Sequence, residues 1–224
     1  MHVRDLTRFL AELAENNNRA WFVMNKPRYD ILRAEFLELV TQLIAEIARF
    51  DPAVAACNPK KALFRINHDL RFARDKAPYK THFAAAITAT GLKRPSQGGG
   101  PAYYFHIDAD GMLLVSGGEY LPPPHRLRAI RQHVIEDAVG FGKQLKNKKL
   151  AQTFGGLQEE GKLSRPPKGF APDSPHIEAI KLKSFIVWKE TSLRKSIPAD
   201  LDKELLAGFR AAYPLVAWLR QVPA

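Results

Sequence analysis

The feature that most constrains this chain is a pair of strand-like runs, Ala102 to Asp108 and Met112 to Glu119, flanking Asp110-Gly111. Asp-Gly favours a tight hairpin in which both central residues take positive φ, so the two runs are predicted to pair antiparallel. Residues 81–90 extend the pattern: His82, Ala84, Ala86 and Thr88 alternate with Phe83, Ala85 and Ile87, the period of a strand with two unlike faces. Ala62 to Ile66, apolar except for Arg65, and Ser184 to Glu190, with Phe185, Ile186 and Val187, supply two further strands.

Helical spacing accounts for the flanks. Leu6, Phe9, Leu10 and Leu13 follow Asp5, a capping residue, and Asn16-Asn17-Asn18 ends that helix. The opening lacks an apolar signal core and reads as the first helix of the mature domain. A second helix is expected from near Pro27 to about Phe50, with Tyr29, Leu32, Phe36, Leu39, Val40, Leu43 and Ile47 along one stripe. Pro122-Pro123-Pro124 opens another through Leu127, Ile130, Arg131 and Val134; a further one covers 137–150 and a short one 175–181. The last, Ala199 to Arg220, should break or kink at Pro214. Residues 91–101, rich in glycine, and 154–175 read as irregular chain. Strands and helices are segregated rather than alternating. The expected fold is therefore α+β, a mainly antiparallel sheet of about five strands packed against several helices, in a single domain over residues 1–224. With 46% hydrophobic residues the chain has enough apolar material for that core.

The net charge of +11 is concentrated. Residues 60–82, 126–149 and 162–195 each carry +5, and the remainder is slightly acidic. Fields from two such segments add if the fold brings them within a Debye length of about 8–10 Å, and the joint surface would attract polyanions. Cys57 is the single cysteine, so no internal disulfide forms and no thiolate zinc cage is available. No apolar run approaches the ~18 residues of a membrane helix. A cytoplasmic protein with no membrane partner is expected.

The densest run of candidate binding residues is Arg65 to Lys80, between two predicted strands. Arg65, Arg71 and Arg74 offer planar forks suited to phosphate or carboxylate, and Lys76 adds a compact charge. Asp69 and Asp75 are placed to orient those arginines, bind a divalent ion or act as a base, and Tyr79 to hydrogen-bond or stack on a ligand. The same residues would equally lock a loop through Arg65–Asp69 and Arg71–Asp75 ion pairs above Leu70, Phe72 and Tyr79.

The spacing Arg-x-x-His-Asp-x-Arg-Phe-x-x-Asp-Lys-x-x-Tyr from Arg65 to Tyr79 resembles the hallmark of the bacterial family called domain of unknown function 2461. The resemblance extends to Asn17-Asn18-Arg19-Ala20-Trp21-Phe22, Asn25-Lys26-Pro27-Arg28-Tyr29, Gly118-Glu119-Tyr120, Arg165-Pro166-Pro167-Lys168-Gly169-Phe170 and Leu182-Lys183-Ser184-Phe185. His68 stands where the family usually has arginine. The resemblance implies a single-domain fold and matching positions at Arg65, Asp69, Arg71, Phe72, Lys76 and Tyr79, without a mechanism.

Other constellations are weaker. Strand alternation puts His106 and Asp108 on one face and Asp110 in the turn, with no fourth metal ligand implied. Cys57 has no neighbouring histidine in the sequence to activate it. Gly98-Gly99-Gly100 lacks the Gly-Lys-Ser/Thr ending of a phosphate loop. Trp21, Phe22 and Tyr103-Tyr104-Phe105 are read as core packing in preference to base-stacking platforms. The leading expectation is a binder of an anionic, phosphate-bearing small molecule or nucleic acid at a basic cleft formed by Arg65, Asp69, Arg71, Lys76 and Tyr79, with Lys168 and Lys183 as outer contributors. The alternatives are a divalent-metal-dependent hydrolase or nuclease acting on a phosphate ester, and a structural or protein-interaction domain. No motif specifies a cofactor, a metal or an oligomeric state.

Overall fold

The computed structural model describes residues 1–69, 77–92, 99–194 and 200–223. Among these, four strands form one antiparallel sheet in sequence order: β1 (His82–Thr88), β2 (Ala102–Asp108), β3 (Met112–Glu119) and β4 (Phe185–Ser192). The fold class is α+β, with four strands where about five were expected. Ala62 to Ile66 is the run that fails. Asn58 caps a short helix, Pro59–Ala62, by accepting the Lys61 amide, which removes the start of the run. What remains is joined to β1 by a bridge from Leu63 to Ala85 and a hydrogen bond from the Phe64 amide to the Ala84 carbonyl, and its end accepts the Lys80 amide at the Ile66 carbonyl, without becoming a strand of the sheet. The chain then turns away, with Asn67 bridged to Tyr79.

The β2–β3 hairpin has the expected strands but a different turn. Gly111 alone takes positive φ, at 71°, and its amide donates to the Asp108 carbonyl, giving a three-residue connection. Its register pairs Tyr104 with Ser116 and Phe105 with Val115, and the β3–β4 register pairs Ser116 with Trp188.

One sheet face carries Phe83, Ala85, Ile87, Tyr103, Phe105, Ile107, Leu113 and Val115 into the main core. Helices α1 (Val3–Glu15), α2 (Arg19–Ala48) and α8 (Leu201–Arg220) supply the other side of that core. Leu32, Phe36, Leu39, Val40, Leu43 and Ile47 are the buried stripe of α2. Helix α2 spans 30 residues rather than starting near Pro27, because Asn18 caps it by accepting the Trp21 amide. Pro27 is exposed within it, so the missing donor falls on the solvent side, where water can serve the freed carbonyl. Pro214 likewise lies inside a continuous α8. Asp5 sits in the first turn of α1 without capping it; His2 holds the cap position and its amide donates to Glu35.

Helix α8 lies unusually close to the sheet. A Cβ on Gly117 would come within 2.4 Å of the Ala212 Cβ, and one on Gly208 within 2.8 Å of Val115. A second core joins the far part of α8 to α4 (Pro124–Glu136), α5 (Ala138–Leu145) and α6 (Lys148–Phe154). The single helix expected over 137–150 is thus two, separated at Asn147, which caps α6. The short helix α7 is Ile177–Ile180. Two buried ion pairs fix the α8 end. Asp51 accepts from Tyr103 Oη at 2.7 Å and from Arg220 Nη1 at 2.5 Å. Glu119 pairs with Arg126, whose guanidinium also donates to the Leu219 and Val222 carbonyls. No helix among the described residues is long and apolar enough to cross a membrane.

Candidate functional site

Of the expected basic cleft, Arg71 and Lys76, with Phe72, lie outside the described residues. Arg65 is 63% exposed, with a guanidinium nitrogen 3.8 Å from an Asp69 carboxylate oxygen. Tyr79 is placed quite differently. Its ring is buried and stacked on Phe22 at 4.0 Å, and Asn17 clamps its backbone, accepting from the amide and donating to the carbonyl. His68 Nδ1 lies 2.8 Å from the Ala77 carbonyl. In the other two basic segments several cations are already paired: Arg126 with Glu119, Lys162 and Lys181 with Glu178, and Lys189 with Glu204. Arg131 is buried and donates to the Leu182 carbonyl. Lys183 runs past Gly161.

The geometry gathers a different set of residues on the sheet face opposite the main core. There Ala86, Tyr104, Ser116 and Trp188 lie in one row across the four strands. They form part of a cavity of about 500 Å³, whose walls include Phe64 beyond β1, Tyr120 just past the end of β3, and Glu160 on the strap beyond β4. Ala102 and Gly118 keep the floor shallow. Gly118 has φ of 126°, and a Cβ there would meet the Phe185 carbonyl oxygen at 2.2 Å, so the backbone itself forms that part of the floor.

Each wall has a local cause. The Gln158 amide donates to the Ile186 carbonyl, and its side chain donates to Trp188 O, tying the strap that carries Glu160 to the edge of β4. Tyr120 precedes Leu121, whose φ of 43° is strained for a residue with a side chain, and Ser184 Oγ accepts the Leu121 amide at 2.9 Å. Lys80 Nζ stands 5.5 Å from the centre of the Phe64 ring.

The polar groups of the cavity are few. Tyr104 Oη lies 3.0 Å from His106 Nδ1. Burial lifts the phenol to about 12 and lowers the His106 imidazole below its ordinary value, against the opposing pull of Asp108 and Glu190. Burial, with His106 beside it, lowers His82 to about 4. Near neutral pH these imidazoles are therefore uncharged. Ser116 is 1% exposed and its Oγ has no hydrogen-bond partner among the described residues. A buried hydroxyl without a partner costs about 1–3 kcal/mol, so its position at a cavity floor is chemically informative.

Other candidates are spent on structure. Asp108 accepts the Met112 amide, and Asp110 lies 3.8 Å from Arg194. Among the described residues no group of three or more His, Cys, Asp or Glu side chains is placed to hold a metal ion. Cys57 is buried, which pushes its thiol pKa up. Phe22, Tyr103 and Phe105 are in the core, as expected, whereas Tyr104 is a cavity wall. The signal for Tyr104 was its opposite parity to Tyr103; the sequence held no comparable signal for Ser116 or Trp188.

No curated protein and no solved structure matches the chain. The family model described as conserved hypothetical protein (DUF2461) matches residues 5–218. Within the matched span, buried Glu119 pairs with Arg126 between Gly118 and the cavity residue Tyr120, and Asn17 clamps Tyr79. The chain belongs to the DUF2461 family.

Proposed function

We propose that the protein binds a small organic molecule with a flat apolar body in the cavity on the open sheet face. The carrying observation is the unpartnered Ser116 hydroxyl at the floor, between Tyr104 on one neighbouring strand and Trp188 on the other. Strands are about 4.8 Å apart, so the two aromatic residues spring from positions about 10 Å apart. A ring stacked between two others needs about 7 Å, twice the usual van der Waals contact. The spacing of these positions leaves room for a planar ligand between the two aromatic residues, above Ser116. The volume is within the ordinary range of small-molecule sites, and apolar walls with few polar groups are their usual composition.

The test is thermal unfolding and calorimetry with a panel of planar heterocycles, for the wild type and for Ser116→Val, which fills the floor. Ligands that stabilise the wild type should lose their effect in the variant while its own unfolding stays cooperative. Equal stabilisation of both would place binding elsewhere.

A second, separate reading keeps an anionic, phosphate-bearing ligand at the basic segment of Arg65, Asp69, Arg71 and Lys76, with Tyr79 anchoring the segment to the core. Arg65 favours it: its guanidinium is largely exposed and beyond hydrogen-bond distance of Asp69. Nucleotides and sugar phosphates that raise the unfolding midpoint of the wild type but not of Arg65→Ala would support it. No effect of phosphate compounds on the wild type would end it.

A further inference from the structure

We infer that the ligand of the sheet-face cavity is an organic cation, an ammonium group carried on a flat apolar body. This rests on the cavity being a binding site, as proposed above, and specifies what enters it. In a chain of net charge +11, the cavity lining contains no lysine or arginine among the described residues. Its acidic residues are Glu160 and Glu190, both on the β4 side. Neither carboxylate makes an ion pair or hydrogen bond among the described residues, although cations are close along the chain. Lys162 pairs with Glu159 and Glu178 instead, and Lys189 with Glu204. Lys183 passes Gly161 without reaching ion-pair distance of either cavity carboxylate.

The remaining groups suit the same ligand. Phe64, Tyr104, Tyr120 and Trp188 present aromatic rings, whose electron-rich faces attract ammonium groups. His106 adds no opposing charge near neutral pH, and the Tyr104 phenol remains protonated. Lys80, the cation beside Phe64, belongs to the β1 edge. Three strand spacings, about 14 Å, separate the β1 and β4 edges. The negative charge of the lining is therefore on the β4 side, Glu160 near the start of that strand and Glu190 near its end, and the ligand's ammonium belongs beside one of these carboxylates with its ring above Ser116. A cation entering an apolar site needs a counter-charge there, and these two carboxylates are the ones it would meet.

Tryptamine, tryptophol and indole-3-acetate share one ring and differ in charge, so they separate this inference from the one beneath it. Binding would be measured by saturation-transfer NMR and calorimetry at neutral pH. Tryptamine should bind at least about tenfold more tightly than tryptophol, and indole-3-acetate most weakly. In the double variant Glu160→Gln/Glu190→Gln, both exposed positions, tryptamine should fall to the level of tryptophol while tryptophol is unchanged. Ser116→Val should abolish binding of both. Tryptophol or indole-3-acetate binding as tightly as tryptamine, with binding still lost in Ser116→Val, would overturn the cation inference and leave the cavity reading intact. If none of the three binds the wild type at millimolar concentration, both readings fall.

Discussion

Replacing Ser116 by alanine should stabilise the unliganded protein. The hydroxyl is 1% exposed and unpartnered, so folding takes it from water with no hydrogen bond in return. Removing it deletes that penalty and leaves a methyl group against apolar walls, with a gain of about 1–2 kcal/mol. For a chain of this size each kcal/mol moves the midpoint by about 2–4 °C, so the expected rise is roughly 2–8 °C. Ser184→Ala is the internal control. Its Oγ accepts the Leu121 amide, so the same substitution there should lower stability by about 0.5–1.5 kcal/mol. The assay is urea unfolding followed by tryptophan fluorescence, with calorimetric scans for the midpoints. Opposite signs at the two serines are required. A Ser116→Ala protein that loses 1 kcal/mol or more would mean that the hydroxyl is already bonded in the folded protein and is not held in reserve for a ligand.

Two other predictions address the frame around the cavity. Asp51→Ala strips both Tyr103 and Arg220 of their buried acceptor and should cost about 3–5 kcal/mol in urea unfolding, with Asp51→Asn costing less because its amide oxygen still accepts; a loss below about 1 kcal/mol would show the pair to be dispensable. His82 is held neutral in the fold, its pKa lowered by burial to about 4 from an ordinary 6.5, so the unfolded chain takes up a proton first as pH falls. Stability from this group is complete above about pH 6.5 and is lost progressively as pH falls toward 4; about 2 kcal/mol should disappear between pH 7 and pH 5 in urea titrations, and His82→Gln should flatten that slope. An equal slope in the variant would assign the loss to other groups.

Local patterns reached most of the sheet and little of the site. Alternation along residues 82–88 and 102–108 separated the two faces correctly, because side chains on a strand point to opposite sides in strict turn. Asp110-Gly111 marked the connection that sets Tyr104 against Ser116, although the turn adopted needs positive φ at Gly111 alone. Trp188 was beyond reach of such reasoning: its place beside Ser116 depends on pairing of β3 with a strand far away in the sequence. Proline was over-read as the start of α2, and α8 runs unbroken through Pro214. A missing amide on an exposed turn leaves a carbonyl that water can satisfy, so packing of the apolar stripe carried α2 through Pro27. Arg65 to Lys80 drew attention through its charge density, yet Tyr79 serves the core by stacking on Phe22.

What distinguishes the cavity from ordinary sheet surface is its composition. Helices α1, α2 and α8 all use one face, and the glycines at 117 and 208 let α8 approach so closely that this face is fully occupied. The opposite face of an antiparallel sheet is commonly left to water and then carries charged and polar side chains. A face meant for another helix carries a continuous run of large aliphatic residues instead. This face follows neither pattern, since Ala86, Ala102, Ser116 and Gly118 form a floor of small residues ringed by Phe64, Tyr104, Tyr120 and Trp188. Small residues surrounded by aromatic walls leave an apolar hollow that the chain does not fill, and leaving it open forgoes packing energy that larger side chains would recover. The strained Leu121 and the unpartnered Ser116 add two further local costs at the same place. Three unfavourable features converging on one hollow are difficult to account for by folding alone, and each finds a use if a flat ligand enters beside Ser116.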